Sequence, residues 1–262
     1  MSIIDFHNHL IPGVDDGAQT EAETAAALRA LAADGVVGLV ATPHVNASAT
    51  AVAGTRDARL AEIDVGWEVL RRCAQAAAME VWRGAEIALD TPWTDFSNPA
   101  LRLNGTRFVL VEFAYMVVPP TSGRVLGQLV EAGWTPVLAH PERYRTFSGV
   151  IDLAPEWRAA GALLQLNGAS LLGRYGDSAE RIAHQLLARG HVDYVCSDYH
   201  ARGRPRVAEY RSVLEESVGA EGMTLLTETN PRRLLQDQPP LPIPPGGGPP
   251  GSRRPRWRRF FR

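Results

Sequence analysis

The chain has 262 residues, 45% hydrophobic and 21% charged, long for one ordinary domain but normal for a single α/β barrel of about 200–250 residues. No apolar run reaches the roughly 18–20 residues of a membrane span, and the N-terminus enters a strand without a basic, apolar leader, so a cytoplasmic location is expected. The formal charge of −2 divides unevenly: residues 239–262 carry six arginines and no acid, which leaves −8 on the rest and argues against a nucleic-acid-binding domain.

In chain order, the first strand starts at Ile3 and runs into Asp5-Phe6-His7-Asn8-His9, followed by Asp15-Asp16-Gly17. Thr20, with Glu23 three residues on, caps a helix that ends near Gly35. Val36–Ala41 reads as a buried parallel strand leading to His44, and residues 55–78 as a helix with Leu60, Ile63, Trp67 and Leu70 at helical spacing. Met79–Ala85 is the next strand, delivering Glu86; residues 87–106 read as an irregular excursion. Phe108–Val111 delivers Glu112. After a helix over 122–132, the strand Pro136–Ala139 ends in His140. A helix over 152–160 precedes the strand Ala162–Leu166, which ends at Asn167, and a helix over 178–189 precedes Val192–Cys196, which ends in Asp198 and His200. Two short helices follow, about 207–218 and 222–226, and a last turn starts at Asn230-Pro231. Seven strands alternating with helices predict a parallel sheet. Candidate ligands at six of the seven strand ends favour a closed barrel, because an open sheet concentrates its site at one switch point. Residues 239–262 are expected to be a Pro/Gly-rich linker and a basic, aromatic tail without ordered structure, beyond a barrel over 1–238.

Five of the seven histidines (His7, His9, His44, His140, His200) fall at predicted C-terminal strand ends, while His184 and His191 fall on a helix face and in a loop. One such histidine is ordinarily a solvated or hydrogen-bonded residue. Five of them, with Asp16, Glu86, Glu112 and Asp198, are the donor set of a multinuclear metal centre. Mixed imidazole and carboxylate donors suit Mn²⁺, Fe or Zn²⁺ alike.

The segments DFHNH, DDGA, TPH, GAEI, VLVEF, AHPERY and SDYH, in this order, resemble the bacterial PHP (polymerase and histidinol phosphatase) domain proteins. More narrowly, with Ala169-Ser170-Leu171-Leu172-Gly173-Arg174 and TETNPRRLL, residues 1–238 resemble the metal-dependent protein-tyrosine phosphatases of capsule and exopolysaccharide loci. The resemblance implies a distorted (β/α)7 TIM-like barrel holding three divalent ions, Mn²⁺ foremost. His7, His9, Glu86 and Asp198 would hold the first; Glu86 as a bridge, with Glu112 and His140, the second; Asp16, His44 and His200 the third. Arg143 and Arg204 would clamp the phosphate as planar forks, with Arg202 the alternative to Arg204. A hydroxide bridging two ions about 3.5–4 Å apart would attack phosphorus in line. The implied substrate is a phosphotyrosine protein, foremost an autophosphorylated membrane tyrosine kinase. Tyr199 stands where relatives carry a small residue and, with Phe113 and Tyr115, is a candidate contact for the substrate ring.

Other readings share parts of this pattern. Cys196-x₅-Arg202 matches the bare spacing of cysteine-dependent phosphatases, but the intervening Ser-Asp-Tyr-His-Ala has no glycine to cradle phosphate, and Asp198 would repel a thiolate. Cys73 and Cys196 suggest no disulfide framework. A histidinol-phosphate or other small-molecule phosphatase would use the same cluster, and so would a non-catalytic metal-binding regulator. Arg253–Arg262 interleaves six arginines with Trp257, Phe260 and Phe261, a composition suited to weak contact with an anionic membrane surface. The oligomeric state is left open.

Overall fold

The computed structural model describes residues 2–243. Among these, nine strands are β1 (Ile3–Asp5), β2 (Val36–Ala41), β3 (His44–Asn46), β4 (Glu80–Arg83), β5 (Glu86–Leu89), β6 (Phe108–Phe113), β7 (Thr135–Ala139), β8 (Leu163–Asn167) and β9 (Tyr194–Cys196). All pair in parallel, in the orders β1-β2-β4 and β3-β5-β6-β7-β8-β9. The two sheets are one surface. β3 continues β2 beyond Thr42-Pro43, and β5 continues β4 beyond Gly84-Ala85; the bonds Gly84 N–H to Ala41 O (3.0 Å) and Glu86 N–H to Pro43 O (3.1 Å) carry the ladder across both breaks. Closure comes from Asp198 N–H to His7 O and His9 N–H to Tyr199 O, both 2.9 Å. The result is a distorted barrel of seven staves, two of them interrupted.

The helices are α1 (Glu21–Ala33), α2 (Ala47–Thr50), α3 (Ala53–Ala76), α4 (Ser122–Glu131), α5 (Val150–Ala159), α6 (Asp177–Ala188), α7 (Val207–Thr224) and α8 (Asn230–Leu235). The Thr20 hydroxyl accepts from Glu23 N–H, as its capping position predicts, and the Glu23 carboxylate accepts from Gln19 N–H (2.6 Å). α7 is broken at Gly219 (φ 76°, ψ 169°), where two short helices were expected. A π-helical turn, Leu225–Thr229, joins it to α8.

Alternation along the staves sets the layers. Phe6, Val40, Phe108, Leu110, Val137, Ala139, Tyr194 and Cys196 fill the barrel interior, with Leu103 and Leu234 in the same cluster. Val109, Val111, Leu164 and Leu166 face outward into the layer beneath the helices. The inward series on β6, Phe108-Leu110, therefore ends on Glu112, and the inward series on β8 passes through Gln165. Apolar residues fill the barrel, and polar ones crown its C-terminal mouth.

The predicted excursion over 87–106 needs correction. Its first residues are β5, hydrogen-bonded to β6, and the remainder holds two 3₁₀ turns, Pro99–Leu101 and Leu103–Gly105. α2 was not expected either. At the other end, residues 239–243 lie against α8: Leu241 N–H donates to Asn230 Oδ1 (2.8 Å), and Asn230 Nδ2 donates to Leu241 O (3.0 Å). The basic segment Arg253–Arg262 lies outside the described residues. Among those described, no helix is long and apolar enough to cross a membrane.

Candidate metal centre

The nine candidate ligands converge at one end of the barrel. Glu86, at the start of β5, is wholly buried. Its Oε2 lies 3.2 Å from His7 Nε2, 3.4 Å from His9 Nε2 and 3.1 Å from His44 Nδ1, and its Oε1 lies 2.9 Å from His140 Nε2. Asp198 Oδ1 is 3.4 Å from the Nε2 atoms of both His7 and His9. Glu112 reaches His44 (3.5 Å) and His140 (3.8 Å), and Asp16 Oδ1 reaches His44 (3.5 Å) and His200 (3.3 Å). Four overlapping groups result: His9-Asp16-His44-His200, His7-His9-Asp198, His7-Glu86-His140 and His44-Glu86-Glu112, with ligand atoms in each within 4.8 Å of one another. Two of the ligands sit where the chain turns sharply. His140 (φ 34°) and Asp198 (φ 50°) both occupy the left-handed region that non-glycine residues rarely adopt, a strain that the surrounding structure must hold in place.

Outer partners fix the rings. Gln165 Oε1 lies 2.8 Å from His7 Nδ1, so that nitrogen carries the proton and Nε2 points its lone pair into the cluster. Asp15 Oδ2 does the same for His9 Nδ1 at 2.9 Å; the same carboxylate accepts from Gly17 N–H (2.9 Å) and His44 N–H (3.2 Å). Neither Asp15 nor Gln165 was singled out in the sequence. Asp15 had a signal, as the first acid of the Asp-Asp-Gly turn beside two histidines. Gln165 had only its inward parity on β8.

These residues fit metal ions. Glu86 Oε2 is buried and accepts no hydrogen bond, yet three imidazole nitrogens surround it, a position that a divalent cation satisfies. Electrostatics in the protein alone show the same crowding. Burial pushes His7 down, but Glu86 and then Asp198 reverse this and raise its pKa to about 9. Burial opposes the charge on Glu86, but the close approach of His7, then His140 and His44, holds it well below the carboxylate range. Burial, then the charge of Glu86, lifts Glu112 to about 7.

Beside the cluster opens a cavity of about 340 Å³ lined by Arg143, Arg174, Tyr175, Arg202, Arg204 and Arg206, among others. Arg143 donates to Asp198 Oδ2. Arg204 is exposed, with no ion pair or hydrogen bond among the described residues, whereas Arg202 donates to the Asp16 carbonyl. Tyr199 reaches the cavity but is only 7% exposed, its hydroxyl donating to Gly203 O (2.9 Å). Phe113 does not reach the cavity: it is buried between Tyr144 and Trp157 in the outer layer. Tyr115 is exposed on the turn after β6 and does not line the cavity. The exposed cavity ring is Tyr175, 41% accessible, which the sequence did not indicate; it follows the left-handed Gly173 that ends the turn after β8. Cys196 is buried inside the barrel, and burial, then Asp5, pushes its thiol well above the usual range, the reverse of a nucleophilic cysteine.

Fold and cluster together define a class, an α/β barrel built around a candidate polynuclear metal centre. The chain belongs to the capsular polysaccharide synthesis CpsB/CapC family, whose model matches residues 3–236. It is 30% identical over 256 residues to the tyrosine-protein phosphatase YwqE of Bacillus subtilis, covering 92% of this chain and 96% of the relative. To the tyrosine-protein phosphatase CpsB of Streptococcus pneumoniae it is 27% identical over 247 residues, covering 90% and 99%. Among solved structures it is similar to one chain from the crystal structures of the metal-dependent tyrosine phosphatases YwqE from Bacillus subtilis and CpsB from Streptococcus pneumoniae, with TM-score 0.70, 26% identity and coverage of 92% of this chain and 100% of that one. An organophosphorus hydrolase from Deinococcus radiodurans shares the fold at TM-score 0.54 and 13% identity, over 89% and 92% of the two chains.

Proposed function

We propose that this chain is a metal-dependent phosphomonoesterase that hydrolyses phosphotyrosine on proteins. The observation that carries the reading is the juxtaposition of nine converging ligands with an arginine-lined cavity, in a chain whose relatives are named tyrosine-protein phosphatases. Three divalent ions, Mn²⁺ foremost, are assigned to His7, His9, Glu86 and Asp198; to Glu86, Glu112 and His140; and to Asp16, His44 and His200. When bound, such ions neutralise phosphate charge and acidify water at neutral pH. Four carboxylates offset most of the charge of three divalent ions and leave a net positive pocket for a phosphate dianion.

The chain's own residues position the substrate. Arg143, anchored at one end by Asp198, keeps further N–H groups for phosphate oxygens, and Arg204, unpaired among the described residues, offers a second planar fork from the loop after β9. Gln165 and Asp15 hold His7 and His9 so that their Nε2 lone pairs stay turned inward. The filled barrel below leaves the mouth as the way in.

The substrate is read as a phosphotyrosine protein, foremost the membrane tyrosine kinase of the capsule system, acted on in the cytoplasm. On this reading residues 1–238 are the catalytic barrel. Residues 239–262 are read as a Pro/Gly-rich linker and a basic tail whose composition suits weak contact with anionic lipid; on that reading the full chain should sediment with anionic vesicles and a chain ending at residue 243 should not. The test of function is initial rates of phosphate release by the metal-loaded protein from a phosphotyrosine peptide and from histidinol phosphate. Preference for the peptide supports the proposal. Turnover of histidinol phosphate alone would move the chain to small-molecule metabolism, and turnover of neither, with metals bound, would make it a regulator.

A further inference from the structure

Tyr175 occupies a position that neither the ligand set nor the phosphate clamp explains. Its ring lies under the Arg143 guanidinium, with Cζ 4.2 Å from the ring centroid. Asn167 Nδ2 donates to the Tyr175 hydroxyl (3.2 Å) and also to Asp198 Oδ2 (2.9 Å), the carboxylate oxygen that anchors Arg143. Arg143 is therefore held at its end by Asp198 and along its plane by Tyr175, while Asn167 ties both supports to the end of β8. Asn167 is in turn fixed: its N–H donates to the buried Glu142 Oε1 (3.0 Å), and its own Oδ1 accepts from Ala169 N–H (2.9 Å). A guanidinium stacked in this way loses little further freedom when it meets a phosphate.

Among the described residues, the same ring is the more exposed of the two phenol rings that line the cavity. Of the two tyrosines lining it, Tyr199 is 7% exposed and Tyr175 is 41% exposed. An aryl group attached to a phosphate held by Arg143 would lie next to that ring, where offset or edge-to-face contact is favourable. Resting on the phosphatase reading above, we infer that Tyr175 is a positioning and specificity-determining residue: it presents Arg143 to the phosphate and forms the wall against which the substrate's phenyl ring packs, selecting aryl over alkyl phosphomonoesters.

Binding to the metal-loaded full chain tests this without turnover. Calorimetric Kd values for inorganic phosphate and for phenylphosphonate, a non-hydrolysable aryl ligand, would be measured for wild type, Tyr175→Phe and Tyr175→Leu. Tyr175→Leu is expected to weaken inorganic phosphate by about three- to fivefold through the unstacked Arg143, and to lose most of the additional affinity that the phenyl group gives wild type. Tyr175→Phe keeps the ring and is expected to stay within about twofold of wild type on both ligands. Misfolding lowers the binding stoichiometry and leaves Kd unmoved, so it does not imitate this pattern. Unchanged phosphate affinity in Tyr175→Leu, an intact phenyl increment, or equal losses in the two variants would each overturn the inference. Failure of the phosphatase reading would show separately, as wild-type protein that binds both ligands and releases no phosphate from a phosphotyrosine peptide.

Discussion

Gly17 is the position where the smallest change should reach the metal centre. A Cβ there would lie 1.9 Å from the His9 carbonyl oxygen and 2.5 Å from His9 Cβ. Opening the first contact to an ordinary ~3.3 Å moves the loop by more than about 1 Å. That shift breaks the Ala18 N–H bond to His9 O (2.9 Å) and the Gly17 N–H bond to Asp15 Oδ1 (2.9 Å), each worth about 1 kcal/mol. With about 1–2 kcal/mol of overpacking, Gly17→Ala should cost about 3–4 kcal/mol, or roughly 6–16 °C in Tm for a domain of this size. Asp15 is carried along, and His9 loses the partner that fixes its tautomer, so metal affinity should fall about 10- to 100-fold. The paired control is Gly54→Ala on the exposed first turn of α3, where nothing lies within 4 Å of the added carbon; it should be neutral or up to about 1 kcal/mol stabilising. The assays are thermal unfolding and metal competition against a chelator. A Gly17→Ala protein with wild-type Tm and metal affinity would refute the role given to the Asp-Asp-Gly turn.

Glu86→Gln removes the carboxylate around which His7, His9, His44 and His140 gather; elemental analysis should show fewer bound ions, and kcat should fall roughly a thousandfold, as about 4 kcal/mol of transition-state stabilisation is lost. Cys196→Ala should leave phosphatase activity within about twofold and cost about 1–2 kcal/mol of stability, and iodoacetamide should not inactivate the wild type. Asp193, paired with Arg158, has its pKa raised by burial against the pull of that guanidinium. Because the folded chain then holds the Asp193 proton more tightly than the unfolded one, stability falls as pH rises from about 4 through the raised pKa. Arg158→Gln should deepen that fall, costing about 1–3 kcal/mol at neutral pH and less in acid, as read by urea unfolding across the range.

The seven staves and the convergence of the nine candidate ligands were legible because two independent patterns coincide: apolar runs spaced by helices, and a polar residue closing nearly every run. The interruptions at Thr42-Pro43 and Gly84-Ala85 were not, since each continuation is a three- or four-residue strand too short to show alternation, and its pairing depends on a neighbour distant in sequence. Glu86 and His44 consequently open new strand segments where they were expected to close old ones. Phe113 failed as a ring contact on parity. Glu112 faces the barrel mouth, so the next residue must face the helices, and it packs on Trp157. Tyr175 was invisible because its importance lies in a ring placed under Arg143, 32 positions away in the chain, by the turn after β8.

The decisive measurement is phosphate release from a phosphotyrosine peptide by the protein as purified, after chelation to metal-free protein, and after stepwise return of Mn²⁺ with bound metal counted. Activity should vanish with the metal and return as the sites fill toward three per chain. Activity that survives in demonstrably metal-free protein would contradict it.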